Sequence, residues 1–498
     1  MQPYFIGADI GTGSAKAVAI NAERKVLASS QSFYSVIADK PGYSEQDPGV
    51  IRKAFVGCIR KVAQQLGYAP ASISISAAMH SLMIVDRNNT PLTRLLTWED
   101  TRSNDIAERL RKSAKGKSIY AATGTPIHSM SPLCKIKWYR ENQPVIFEKA
   151  VKFISIKEFI WFHLFREYEI DHSLASATGL FNLKKLAWHQ PSLTFCGIQP
   201  SQLSKPVPTS FLRNVTNRKI VTELQISADT KFCIGASDGC LANVGSNAIN
   251  GDMGALTIGT SGAVRIATRK PVINYSSMTF NYILDEKTYI SGGPVNNGGN
   301  VLKWMFTTFL NNQNPGNNDY KKVFDKIQTI SPGADGLIFL PYLYGERAPI
   351  WDENSSGGFI GLRSFHTVYH FFRAAMEGIC FSLKNILDDL ESSSGNITQL
   401  NVSGGFVHSA IWMQILADVT NKKICRVQLQ DASCIGAALL GMKAQGLIKN
   451  YQDRNIRSKK MIIQPDAKIV TVYNRYFYLF KKQYPALSSS MHLLTKLR

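Results

Sequence analysis

The sequence predicts an α/β protein built from two duplicated domains, and three observations carry that prediction. At 498 residues the chain is too long for one ordinary core, so two large domains are expected. It opens on two apolar runs broken by glycines, FIGADIGTGSAKAVAI, from Phe5 to Ile20. Half a chain later the pattern returns as ALTIGTSGAVRIAT, from Ala255 to Thr268. Two unrelated glycine turns are the plainer alternative, but the matched flanking strands favour duplication. The expected boundaries are 1–246 and 247–498, with the junction near Asn243 to Asp252.

In chain order, the first segment reads as a strand from Phe5 to Ile10, a turn over Gly11 to Ala15, a strand from Lys16 to Ile20, and a third strand near Val26. This is hairpin logic. A Walker loop needs Gly-Lys-Ser/Thr four residues after its first glycine, and a Rossmann turn needs a third glycine where Lys16 stands. Pro48 to Gln65 has helical apolar spacing, and Ser72 to Ala77 reads as a strand. His370 to Leu390 is the longest amphipathic helical pattern. Ile397 to Ser403 reads as a strand ending in Gly404-Gly405, with a helix from about Ala410 to Thr420, and Val470 to Tyr484 as a final helix packing aromatic residues.

Composition narrows the class of function. A hydrophobic content of 44%, with 36 glycines and 20 prolines, describes a folded globular chain rather than a disordered or fibrous one. The eight cysteines show no C-x-x-C pairing, which argues against a zinc site or a disulfide framework. No apolar run is long enough to cross a bilayer, and MQPYFIGADIG lacks signal-peptide features, so a cytoplasmic protein is expected. Lysine plus arginine (57) less aspartate plus glutamate (36) gives +21. The cations are spread along the chain, with short clusters such as Arg454 to Lys460 and no aromatic interleaving, so no nucleic-acid partner is expected.

Three places carry candidate chemistry. Asp9 stands at a strand end beside a turn of backbone amides, where a carboxylate reaches the metal of a magnesium–nucleotide complex while the amides hold phosphate oxygens. Lys16, just past the turn, offers a point charge. The plain alternatives are a turn-capping aspartate and a surface lysine. Asp238, in GASDG, follows a short apolar strand among small residues, as a base on a substrate hydroxyl requires; a helix cap is its alternative. His80, Trp98, Asp100 and Arg102 fall in a polar break that suits a polyol, or else an ordinary loop salt bridge.

Together these segments resemble the FGGY carbohydrate kinases, which share a duplicated actin/hexokinase-like (ribonuclease H-like) fold with an interdomain cleft. DIGTGSAK looks like the first phosphate loop, TIGTSG the second, and GASDG the catalytic segment; MSPLCKIKW (Met130 to Trp138) and VSGGF (Val402 to Phe406) match further family motifs. SAAMHSL, PLTRLLTWEDTRS, GTPIHSMSPLCKIKW, SLASATGLFNL, GGPVNNGGNVLKW and PYLYGERAPIWD are most similar to the gluconate kinases of the family. The resemblance implies ATP and Mg2+, with Asp238 as general base and metal neighbour and Asp9 orienting the metal. It puts Gly11, Thr12, Gly13 and Lys16 on one side of the phosphates and Gly259 and Thr260 on the other. Gly299, Gly404, Gly405 and Ser409 border the adenosine, and Met79, His80, Trp98, Asp100, Arg102 and His128 the sugar. Arg102 and Lys157 are candidates for the sugar carboxylate, and a homodimer is in keeping with the family. Gly13 departs from the family's Gly-Thr-Thr/Ser-Ser and removes one hydroxyl from the loop.

The expected activity is therefore ATP-dependent phosphorylation of a sugar acid, D-gluconate to 6-phospho-D-gluconate. A pentulose kinase acting on D-xylulose is the alternative among enzymes. An actin- or Hsp70-like conformational ATPase is the alternative of another class, although it leaves GASDG and MHS…WEDTRS without a role.

Overall fold

The computed structural model describes residues 2–215, 217–427, 431–452 and 461–497, so Arg454 to Lys460 lie outside the described residues. Two compact units emerge. One comprises residues 1–249, 268–290 and 429–454, and the other 250–267, 291–428 and 455–498.

In the first unit, β1 (Tyr4–Ile10) and β2 (Ser14–Asn21) form the expected antiparallel hairpin, and β3 (Val26–Phe33) pairs antiparallel with β2. Helix α1 (Pro48–Leu66) then leads to β4 (Ser72–Ala77), which runs parallel to β1. The Asp47 carboxylate accepts the amides of Gly49 and Val50, and Pro48 occupies the first turn, where its missing N–H costs nothing. Helix α2 (Pro132–Asn142) lies farther on. The short β5 (Leu212–Asn214) and β6 (Lys231–Ser237) complete a sheet of order β5-β6-β4-β1-β2-β3. Helix α3 (Asp238–Gly245) leaves directly from β6. The interior strands are almost wholly buried on both faces; β1 and β6 are largely apolar, whereas β4 alternates serine with isoleucine.

In the second unit, β7 (Met253–Ile258) and β8 (Gly262–Thr268) repeat the hairpin. Helices α4 (Gly299–Leu310) and α5 (Val368–Ser394) precede β9 (Gln399–Ser403), which runs parallel to β7 as β4 does to β1. Helix α6 (Ala410–Thr420) and β10 (Lys423–Arg426) follow, β10 parallel to β9. The repeated order, a hairpin followed by two parallel strands, is the duplication that the two glycine motifs predict.

Helix α7 (Ala432–Ala444) belongs to the first unit and packs against α3. A Cβ on Gly245 would stand 2.0 Å from the Ala432 carbonyl oxygen, and one on Gly436 2.0 Å from that of Leu241, so glycine is required at this crossing. The strand β11 (Ile462–Ile463) pairs with β10. Helix α8 (Ala467–Lys496) is longer than the expected Val470 to Tyr484 and longer than α5, so the longest helix is the last one. It runs on through Pro485 and buries Tyr473, Phe477 and Phe480 beside Phe381. All eight cysteines are buried free thiols.

Candidate active site

The first unit gathers its candidate residues at the carboxyl ends of β1, β4 and β6, the edge at which open α/β sheets receive ligands. Asp9 lies across from Ser76 of β4 and accepts its hydroxyl at 2.5 Å. Burial pushes the Asp9 carboxyl up, against the downward pull of the Ser76 and Ser433 hydroxyls and of Lys16. Asp238 opens α3 at the end of β6, on the far side of β4 from β1, with Ser237 as the helix cap. Its Oδ1 accepts the Gly239 amide at 2.6 Å, and a carboxylate in the first turn suits the positive end of the helix. Thus two carboxylates stand at the ends of strands separated by a single strand.

The loop between β1 and β2 is braced from three sides. Tyr34 donates its hydroxyl to the Gly11 carbonyl at 2.5 Å, Gln46 its amide to the Thr12 carbonyl at 2.6 Å, and Trp98 its indole N–H to the Thr12 hydroxyl at 3.0 Å. Gly13 is exposed at the tip. Lys16 faces Asp9 across the hairpin and also pairs with Asp431.

The polyol candidates divide. His80 holds a left-handed backbone (φ 66°) beside the half-buried Met79, with its Nε2 3.1 Å from the Tyr282 hydroxyl. Trp98 is tied to the loop between β1 and β2. Asp100, by contrast, is buried, the Arg102 side chain is only 5% exposed, and the two hold each other: Arg102 Nε donates to both Asp100 oxygens at 2.9 and 3.0 Å, and Nη2 donates to Asp100 and to Glu45. The guanidinium also lies 3.6 Å from the centre of the Tyr43 ring. The salt-bridge alternative therefore describes this pair in the structure. Lys157 is likewise enclosed, donating to Asp171 at 2.7 Å and to the Ala236 carbonyl at 3.2 Å, which props the strand leading to Asp238. Both cations considered for a sugar carboxylate are thus engaged inside the fold. His128 is buried in a turn and accepts the Met130 amide at 3.1 Å.

Lys135, within MSPLCKIKW, has no role that the sequence alone assigns. It is fully buried and donates to the carbonyls of His80 at 2.7 Å and Thr97 at 2.6 Å, so one side chain fixes both sugar-candidate loops. Burial lowers its pKa to about 7, against the favourable field of Asp100. The signal was present: Lys135 falls three residues after Pro132 and four before Tyr139, on the buried stripe of α2.

In the second unit the Gly259–Ser261 loop is docked on the start of α4. The Gly299 amide donates to the Gly259 carbonyl at 2.7 Å and the Asn300 amide to that of Thr260 at 3.2 Å. Thr260 is exposed. Gly404 has φ 105°, and a Cβ there would stand 2.1 Å from the Ile258 carbonyl oxygen, so only glycine lets the end of β9 pass β7. Gly405 has open space where a side chain would be, and Ser409 caps α6. Among the described residues, no cluster of three or more His, Cys, Asp or Glu side chains is arranged to hold a metal ion, and no helix is long and apolar enough to cross a membrane.

The comparisons agree with this architecture. Residues 4–245 match the N-terminal domain of the FGGY family of carbohydrate kinases and residues 254–445 the C-terminal domain. A gluconokinase of Bacillus licheniformis is 40% identical over 458 residues, 91% of this chain and 89% of that protein. A xylulose kinase of Lactococcus lactis is 27% identical over 99% of both chains. Among solved structures, a gluconate kinase from Lactobacillus acidophilus superposes with a TM-score of 0.94 at 35% identity, covering 99% of this chain and 100% of that one. A ligand-bound xylulose kinase from the same organism gives 0.93 at 35% identity over the same shares. With both halves matched and a relative this similar along nearly its whole length, the chain belongs to the FGGY family of carbohydrate kinases and is an ATP-dependent sugar kinase.

Proposed function

We propose that the protein transfers the γ-phosphoryl group of MgATP to the terminal hydroxyl of D-gluconate, giving 6-phospho-D-gluconate. The observation that carries the chemistry is the placement of Asp9 and Asp238 at the ends of two strands flanking β4, beside a loop of glycines and hydroxyls. Two hard carboxylate oxygens fit Mg2+, and a cation beside Asp9 offsets the cost of burying its charge. When bound, the metal neutralises charge on the phosphates. Asp238 takes the proton of the attacking hydroxyl as the new oxygen–phosphorus bond forms, the bond to the β-phosphate oxygen breaks, and ADP leaves. Thr12 offers its hydroxyl to the phosphates, and His80 and Trp98 border the sugar.

The choice of gluconate rests on the sugar-side segments and on the 40% identity to a gluconokinase, against 27% to a xylulose kinase. D-xylulose is the second reading, favoured by the xylulose kinase structure at a TM-score of 0.93. The test is ADP release by purified protein with MgATP and D-gluconate, D-xylulose, glycerol or no sugar, alongside Asp238→Asn. Turnover is expected with gluconate, reduced about 10²–10⁴-fold by the substitution. Turnover with xylulose alone overturns the substrate and leaves Asp238 in place. ADP release that ignores both sugar and substitution overturns the kinase mechanism.

A further inference from the structure

The segment PYLYGERAPIWD resembles the family, yet no role attaches to it in the chemistry above. Its Glu346 is completely buried within the second unit. One carboxylate oxygen accepts the amides of Asn296 at 2.5 Å and Arg347 at 2.8 Å, and the other accepts the Asn297 side-chain amide at 3.0 Å. Asn297 also donates to the Gly345 carbonyl at 2.8 Å, so the Asn296–Asn297 turn and the Glu346 loop are bound at several points.

That turn leads straight into α4. The Asn300 side chain donates to the Asn296 carbonyl at 3.1 Å and accepts the Gly298 amide at 2.8 Å, while its backbone amide holds the Thr260 carbonyl. There is no slack at this point: a Cβ on Gly298 would stand 2.8 Å from the Ser261 carbonyl oxygen, and one on Gly299 2.8 Å from that of Gly259. From the other side, backbone bonds join Glu346 to Asp352 in both directions, at 2.9 and 2.8 Å. The Asp352 carboxylate accepts the Tyr484 hydroxyl at 2.7 Å and lies 2.7 Å from His492 Nε2, both on α8.

We propose that Glu346 is a positioning residue for nucleotide: through the Asn296–Asn300 turn it sets the start of α4 and, with it, the Gly259–Ser261 loop that holds the phosphates. The inference rests on the reading of that loop as a phosphate cradle. Its mark is selectivity. A buried carboxylate that merely stabilised the fold would affect both substrates alike when altered, whereas one acting through this loop shifts the nucleotide parameters and spares the sugar.

The experiment measures KM for ATP, KM for the sugar and kcat in the wild type, Glu346→Gln and Asn300→Ala. In Glu346→Gln one oxygen is replaced by an amide that faces the Asn297 amide, donor against donor. Asn300→Ala cuts the turn from the helix start at a half-buried site and removes no buried charge. The expected result is a tenfold or larger rise in KM for ATP in Glu346→Gln, a smaller rise in Asn300→Ala, and KM for the sugar within twofold in both. Unchanged KM for ATP in both variants, or equal rises for both substrates, overturns the inference. If Glu346→Gln does not fold, Asn300→Ala decides alone by the same criterion. A wild type that uses no sugar with ATP defeats the proposed function instead, so the two failures are distinguishable.

Discussion

In the first glycine hairpin Asp9 lies across the parallel register from Ser76, whose hydroxyl it accepts; in the second, Thr257 lies across from Ser403, and their hydroxyls meet at 3.0 Å. The positions correspond, and the charge does not. The antiparallel sides differ as well. The first hairpin closes at Ile10–Ala15 and sets Lys16 opposite Asp9, whereas the second closes one residue tighter at Ile258–Gly262 and sets Ala263 opposite Thr257. One loop is surrounded by Asp9, Lys16 and Asp431, the other by neutral hydroxyls and the amino end of a twelve-residue helix. A carboxylate suits a cation or a proton, and a helix start suits an anion. One backbone plan is repeated, and single positions give the two loops different charge.

The sharpest way to break this comparison is to give the second hairpin the carboxylate of the first. Thr257→Asp keeps a partner for Ser403 but places a negative charge beside the proposed phosphate site. Like charges about 6 Å apart at an effective dielectric of about 20 repel by roughly 3 kcal/mol, about a hundredfold in affinity. The expected outcome in steady-state kinetics is a large rise in KM for ATP, with the isosteric Thr257→Asn close to wild type. Equal behaviour of the two variants contradicts a neutral anion cradle at this loop.

How much of this was legible in the sequence follows from what each signal encodes. The hairpins, β4, α1 and α6 were readable because apolar periodicity and glycine turns are local. The register difference was not, since TIGTSGAV and DIGTGSAK align without a gap and only the closing pair reveals the shift. The engagement of the charged candidates was hidden where the partner is distant in sequence: nothing near Lys157 announces Asp171, or near Arg102 announces Glu45. Lys135 and Glu346 were missed for the converse reason. A buried charge is expensive, so it persists where several backbone groups converge on it, and that convergence is tertiary.

Lys135 yields a prediction of intermediate size. Its folded pKa of about 7 is below the ordinary 10.5 of lysine, so between these values the unfolded chain binds a proton that the folded chain does not. The associated stability is present in full above the ordinary value and is lost as pH falls toward 7. Urea midpoints of wild type and Lys135→Met are expected to diverge in favour of wild type as pH rises from 7 to 10. Parallel pH profiles would falsify a lysine buried with a depressed pKa. The same substitution removes the donor to the His80 and Thr97 carbonyls, and it raises KM for the sugar more than KM for ATP.

The smallest effect concerns the tip of the first loop. A Cβ on Gly13 meets nothing within 4 Å, and its backbone is not among the left-handed glycines, so Gly13→Ser enters without strain. Stability is expected within about 0.5 kcal/mol of wild type, as for an exposed site with no special geometry. A hydrogen bond to a charged oxygen contributes about 1.5–3 kcal/mol when well formed. At an exposed tip only part of that is realised, so KM for ATP should fall, by up to about tenfold. A fall identifies Gly13 as the place where a donor to phosphate is absent. An unchanged KM with unchanged stability means that the loop's grip comes from its amides and from Thr12, whose carbonyl and hydroxyl are already held by Gln46 and Trp98. In that case the first hairpin resembles the second more closely than its charge suggests, holding phosphate mainly by backbone and differing chiefly in the cation chemistry that Asp9 adds.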